Sequence, residues 1–127
     1  MKKKVILAVM IVIVLSFSVP TFATENIDLP YVENLGYEVV IPDADYSKLM
    51  PANYNSGWKK FLGGSWIHGV GNRYVWSKYD HKYKVHKTTV QGAGGRLSSS
   101  GWTVAGRRSE ASWERAVFGN KAWATVK

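Results

Sequence analysis

Gly64-Ser65-Trp66-Ile67-His68-Gly69-Val70, followed three residues later by Tyr74-Val75-Trp76-Ser77-Lys78-Tyr79, decides the fold. Trp66, His68 and Val70 alternate with their neighbours, and Tyr74 and Trp76 do the same. A period of two places alternate side chains on opposite faces of a half-buried strand. The pattern returns at Tyr83/Val85, Trp102/Val104 and Ala111/Trp113/Val117. Ser109 to Val117 would also tolerate a helix, with Glu110 and Glu114 on one face, but its strict alternation favours a strand. Asp80, Gly92-Ala93-Gly94-Gly95, Ser98-Ser99-Ser100-Gly101 and Gly119-Asn120 read as turns between these segments. Gly119-Asn120 has the form of a two-residue hairpin loop between Val117-Phe118 and Lys121-Ala122. About six short strands in so little chain predict an all-β fold, a small antiparallel sandwich or barrel. Trp66 and Trp102 are the leading core candidates.

Upstream the composition changes. Residues 24–60 hold six acids against three lysines, a net of −3, whereas residues 61–127 hold eleven Lys or Arg against three acids, a net of +8. Tyr37-Glu38-Val39-Val40-Ile41 suits one short strand, stopped by Pro42. The rest of 24–61 reads as a mostly irregular acidic spacer or pro-segment, and the charge of Thr24 to Tyr54 predicts that this stretch folds back weakly on the basic face of the C-terminal domain. At the start, Lys2-Lys3-Lys4, the apolar run Val5 to Val19 and Thr21-Phe22-Ala23 follow the order of a secretory signal peptide, residues 1–23. The expected mature product is therefore secreted. With no cysteine, nothing covalent staples the domain at 62–127. So short a domain is marginal alone, which makes self-association through an edge strand or aromatic patch, a homodimer, a candidate assembly.

The chemistry-bearing residues are few. There is no Cys nucleophile, no Gly-x-Ser-x-Gly and no His-Glu-x-x-His, so the reading is not an enzyme and no cofactor or metal is implied. Glu110 and Glu114 could be imagined as a glycosidase pair, but beside Arg107, Arg108 and Arg115 they read as solvated ion pairs. His68, His81 and His86 read as structural or surface histidines rather than metal ligands. On a strand, Lys82, Lys84 and His86 would share one face. With Tyr79 and Arg96 they form the candidate target-binding set, cations beside an aromatic ring suited to an anionic, sugar-bearing partner. Nucleic acid fits the charge, but export argues against it. A non-toxic secreted wall-binding module would fit this set as well.

Five blocks resemble the lactococcin 972 family of bacteriocins. Gly63-Gly64-Ser65-Trp66-Ile67-His68-Gly69-Val70-Gly71 is similar to its Gly-Gly-x-Trp-x-x-Gly-x-Gly opening. Ser77-Lys78-Tyr79 with His81, and His86 with Thr89-Val90, resemble its Ser-x-Tyr-x-His and His-x-x-Thr-Val elements. Gly95-Arg96 with Ser100-Gly101-Trp102 and Ala105-Gly106 resembles the next block, and Gly119-Asn120-Lys121-Ala122-Trp123 the closing one. Gly64, Trp66, Gly69, Gly71, Gly101, Trp102, Gly119 and Asn120 are thus the structural motif residues. The resemblance implies a β-sandwich of two small antiparallel sheets. It also implies a secreted toxin acting on the envelope of related Gram-positive cells, with lipid-linked wall precursor as target. Two departures stand out: the long acidic segment before the first block, and Ala124 where the family has a second aromatic.

Overall fold

A computed structural model describes residues 27–42 and 53–127. The expected signal peptide, 1–23, lies outside the described residues. Ten strands follow in chain order: β1 (Tyr31–Val32), β2 (Gly36–Val40), β3 (Tyr54–Asn55), β4 (Lys59–Phe61), β5 (Gly64–Val70), β6 (Tyr74–Asp80), β7 (His86–Gln91), β8 (Leu97–Ser99), β9 (Arg108–Glu114) and β10 (Lys121–Val126). They form two antiparallel sheets, β1-β2-β10-β7-β8 and β3-β5-β6-β9, with β4 pairing the same edge of β5 that β3 uses. The fold is all-β and open rather than closed into a barrel. Among the described residues no helix is long and apolar enough to cross a membrane.

The alternation of β6 decides the inside of the sandwich. Val75, Ser77 and Tyr79 are buried while Tyr74, Trp76 and Lys78 lie outward. Facing them from the other sheet are His86, Thr88 and Val90 of β7 and Ala122 and Ala124 of β10, all fully buried. The sheets share one directed chain of hydrogen bonds. Thr88 Oγ1 donates to Trp123 O at 2.8 Å, so its lone pair must take the Ser77 hydroxyl at 2.6 Å, and Ser77 Oγ in turn accepts Trp66 Nε1 at 2.8 Å. Every polar atom in this relay is satisfied, as burial requires.

Within the acidic segment, the described residues 27–42 and 53–61 are more ordered than a spacer. The strand expected at Tyr37 to Ile41 is present as β2, and it completes the first sheet by pairing with β10, Tyr37 opposite Ala124 and Val40 opposite Lys121. Ile41 is fully buried, and Phe61 at the end of β4 is nearly so, both in the shared core. The cause is the alternation of Tyr37, Val39 and Ile41, which supplies apolar area that the basic half lacks. Charge plays a smaller part, with Lys121 Nζ 3.7 Å from Glu38 Oε1. Ala124 packs fully buried at this junction.

Two further expectations need correction. Gly119-Asn120 is not a hairpin loop, because β9 and β10 lie in different sheets. Asn120 is instead buried, its amide bonding both N and O of Ala116 at 2.7 and 2.8 Å while its carbonyl accepts Ile41 N at 2.9 Å. It clamps the crossing segment to the end of β2. Trp66 is a core residue, as expected, but Trp102 is 46% exposed. The segment around Trp102 makes only one isolated bridge, Thr103 with His86, so period two there does not imply a buried face.

Candidate functional site

Strands β5, β6 and β9 are in register at one end, Ser65 opposite Asp80 and Asp80 opposite Arg108. That end opens into a groove of about 930 Å³ whose rim carries Lys60, Lys82, Arg107 and Arg108, with Asp80 and His81 set into the wall. Close strand approach builds its floor. A Cβ on Gly64 would stand 2.3 Å from Asp80 O, so only glycine lets β5 meet β6 there. The β4–β5 turn is Leu62-Gly63, both at positive φ (48° and 81°), an unfavourable conformation for leucine that its surroundings must hold.

His81 does the holding. Its Nδ1 accepts the backbone N–H groups of Tyr83 and Lys84 at 3.1 and 3.0 Å, which leaves Nε2 as the donor to Leu62 O at 2.9 Å. Its own carbonyl accepts Gly106 N at 2.8 Å. One nearly buried histidine thus ties three rims of the groove together, two through its ring and the third through its backbone carbonyl. His86, fully buried behind it with ring centroids 6.2 Å apart, faces Lys84 O with Nδ1 at 2.8 Å and Arg107 O with Nε2 at 2.7 Å. Both histidines therefore act on the backbone.

The rim cations differ in availability. Arg108 is committed: it grips Asp80 through Nε–Oδ1 at 2.8 Å and NH2–Oδ2 at 2.9 Å, and stacks on Trp58 at 4.9 Å. The hydrogen bond to Asp80 raises its pKa above the ordinary arginine value. Lys60, Lys82 and Arg107 are exposed and make no ion pair among the described residues. Three free cations around a stiff backbone frame can hold a polyanion such as a diphosphate. They present no nucleophile–base pair.

Of the expected binding set, the structure brings only Lys82 to the groove. Lys84 is exposed on the adjoining loop and contributes its backbone to the two histidines. Tyr79 is fully buried and donates its hydroxyl to Phe61 O at 2.8 Å, so it cannot touch a target. His86 is likewise core. Arg96 closes the turn after the short 3-10 segment Ala93–Gly95, on Gly92, which packs against Glu114 at the other end of β9. The shared face fails because residues 81–85 are a loop, not a strand, so alternation does not apply. Lys60, Arg107 and His81 were missed as a group because three segments carry them. Gly69 and Gly71 lie at the opposite end of β5, Gly101 follows β8, and Gly119 lies in the crossing loop.

Glu110 and Glu114 are four residues apart on β9, hence about 13 Å along an extended strand, beyond the spacing of glycosidase carboxylates. Glu110 is instead 3.8 Å from Lys78. Fold and site together define a small cationic two-sheet β-protein with an anion-suited groove. Residues 62–123 match the family model described as Bacteriocin (Lactococcin_972). Over this stretch, just under half of its length, the chain is similar to the lactococcin 972 bacteriocin family. No curated protein and no solved structure matches the chain.

Proposed function

We propose that the protein is a secreted bacteriocin that inhibits related Gram-positive bacteria by seating the phosphate groups of an envelope component in the basic groove. Lipid-linked wall precursor is the favoured component, and sequestering it would block septum and wall synthesis. The observation that carries this reading is the trio Lys60, Lys82 and Arg107, free of acidic partners among the described residues on a histidine-braced frame. Charge-assisted contacts to phosphate are the strong class of hydrogen bond, and Arg is suited to a bidentate grip.

Titrating residues 24–127 with a short-chain polyprenyl diphosphate tests the groove. K82Q/R107Q should weaken binding at least tenfold, about 1.4 kcal/mol, and added diphosphate should relieve growth inhibition of sensitive cells. Inhibition untouched by added diphosphate would sink the precursor reading. Binding to isolated wall with no inhibition at all would select a non-toxic wall-binding module.

A further inference from the structure

The groove is ringed by apolar side chains that the fold does not use. Tyr83 is 83% exposed, although its backbone is pinned by its N–H to His81 Nδ1. Val104 is 58% exposed on a turn closed by Arg107 N to Val104 O at 3.2 Å. That turn is fixed to the Tyr83 loop through Gly106 N and His81 O. Nearby, Trp102 is half-exposed on the segment bridged to His86, with Lys87 and Lys127 Nζ 4.7 and 5.1 Å from its ring. The end therefore presents rigid apolar tips among Lys60, Lys82, Lys84 and Arg107, with Asp80 already held by Arg108.

We propose that this end is a membrane-docking face, with Tyr83 and Val104 entering the interface of an anionic bilayer while the surrounding cations meet its headgroups. Tyrosine suits that depth because its ring is apolar and its hydroxyl stays wet. Anchoring by apolar side chains and attraction of basic ones to anionic lipid act together at such faces. The opposite end also exposes apolar residues, Tyr74, Val117 and Phe118. That end carries Arg73, Arg96 and Arg115 against Glu114, with the Arg115 guanidinium engaged with Gly71 O at 2.9 Å, whereas the groove end presents Lys60, Lys82, Lys84 and Arg107 with its one acid, Asp80, held by Arg108. Seven-residue strands separate the two ends by roughly 20 Å, so one flat surface cannot receive both. The inference deepens the groove reading, since a lipid-linked diphosphate lies at that interface, but it does not require a diphosphate.

The test is cosedimentation of residues 24–127, which contain every described strand, with phosphatidylcholine vesicles with and without a quarter of phosphatidylglycerol. Binding should need the anionic lipid and fall with salt. Y83S/V104S should weaken it about tenfold, the loss expected when two side chains forfeit interfacial burial. K82Q/R107Q should lower it and flatten its salt dependence, and V117S/F118S should leave it unchanged. Unaltered unfolding midpoints serve as the control, since the substituted side chains are exposed. Loss in V117S/F118S with Y83S/V104S unaffected would place the docking face at the other end and overturn the proposal, as would absence of wild-type binding. The vesicles contain no diphosphate, so vesicle binding without diphosphate binding overturns only the groove reading. The reverse result overturns only the docking face.

Discussion

Removing residues 24–61, which leaves a chain that still contains the whole family match, should destroy the fold. The deletion takes away β2, the neighbour of β10, and with it the fully buried Ile41. It also takes the nearly buried Phe61, whose ring lies 4.8 Å from Trp66 and 6.0 Å from Tyr79, and whose carbonyl accepts the Tyr79 hydroxyl. Truncating a buried isoleucine costs about 2–5 kcal/mol and a buried phenylalanine about 3–5. Together these two losses alone amount to about 5–10 kcal/mol, comparable to the entire stability of a small domain, about 5–15 kcal/mol. Urea unfolding followed by tryptophan emission and far-UV circular dichroism, on residues 24–127 and on residues 62–127, reads the difference. The longer chain should unfold in one cooperative transition and the shorter should show none. I41A within the longer chain should lower its stability by about 2–5 kcal/mol. A cooperative transition for residues 62–127 within about 2 kcal/mol of the longer chain would refute the assignment of β2 and β4 to the core.

The remaining predictions concern single sites. His68 is buried with Nδ1 lacking a partner among the described residues, and burial, then the Lys59 charge, push its pKa down to about 4. Because the folded value lies below the unfolded one, stability is flat above about pH 6.5 and falls toward pH 4 as only the unfolded chain takes up the proton, by about 3 kcal/mol in all. His68→Phe should remove that decline relative to wild type in urea titrations across this range, and parallel curves would contradict it. Ser77→Ala orphans the Trp66 N–H and the Thr88 lone pair, so it should cost about 2–4 kcal/mol. Adding Thr88→Val should cost less than the sum of the two single changes, because they share one hydrogen bond; strict additivity would deny the relay. Trp66→Ala should cost about 3–5 kcal/mol, whereas Trp102→Ala should stay within about 1 kcal/mol, as for an exposed site. Equal costs would contradict the burial of one and the exposure of the other.

What the chain revealed in advance depended on whether the signal was local. The alternation in Tyr74–Asp80 was legible because that strand has one buried face, whereas Gly64–Val70 was legible from its spaced Trp66, His68 and Val70 although both of its faces are buried from Trp66 on, and Tyr37 to Ile41 from its run of β-branched and aromatic residues. The crossing at Gly119-Asn120 was not, since a glycine–asparagine pair can serve either a hairpin or a segment passing between sheets, and only Asn120's buried contacts with Ala116 and Ile41 distinguish them. The groove was less legible still. Lys82 was within reach of a charge argument. Lys60 and Arg107 become its neighbours only once β4 pairs β5 and β6 pairs β9, which no spacing along the chain encodes.

That pairing gives the acidic segment a second role. β4 carries both Phe61, which points into the core, and Lys60, which lines the groove, so one three-residue strand serves the core on one face and would serve the proposed anion contact on the other. Loss of activity on deleting residues 24–61 would therefore have two causes, and Lys60→Gln separates them. The side chain is exposed and outside the core, so the substitution should leave the urea midpoint within about 0.5 kcal/mol of wild type. Diphosphate affinity should fall about three- to tenfold, as expected for removing one of three cations that meet a desolvated phosphate. Calorimetric titration of the variant reads the affinity and an unfolding curve reads the fold. Unchanged affinity in a folded Lys60→Gln protein would confine the segment to a structural role and leave Lys82 and Arg107 as the groove's working charges.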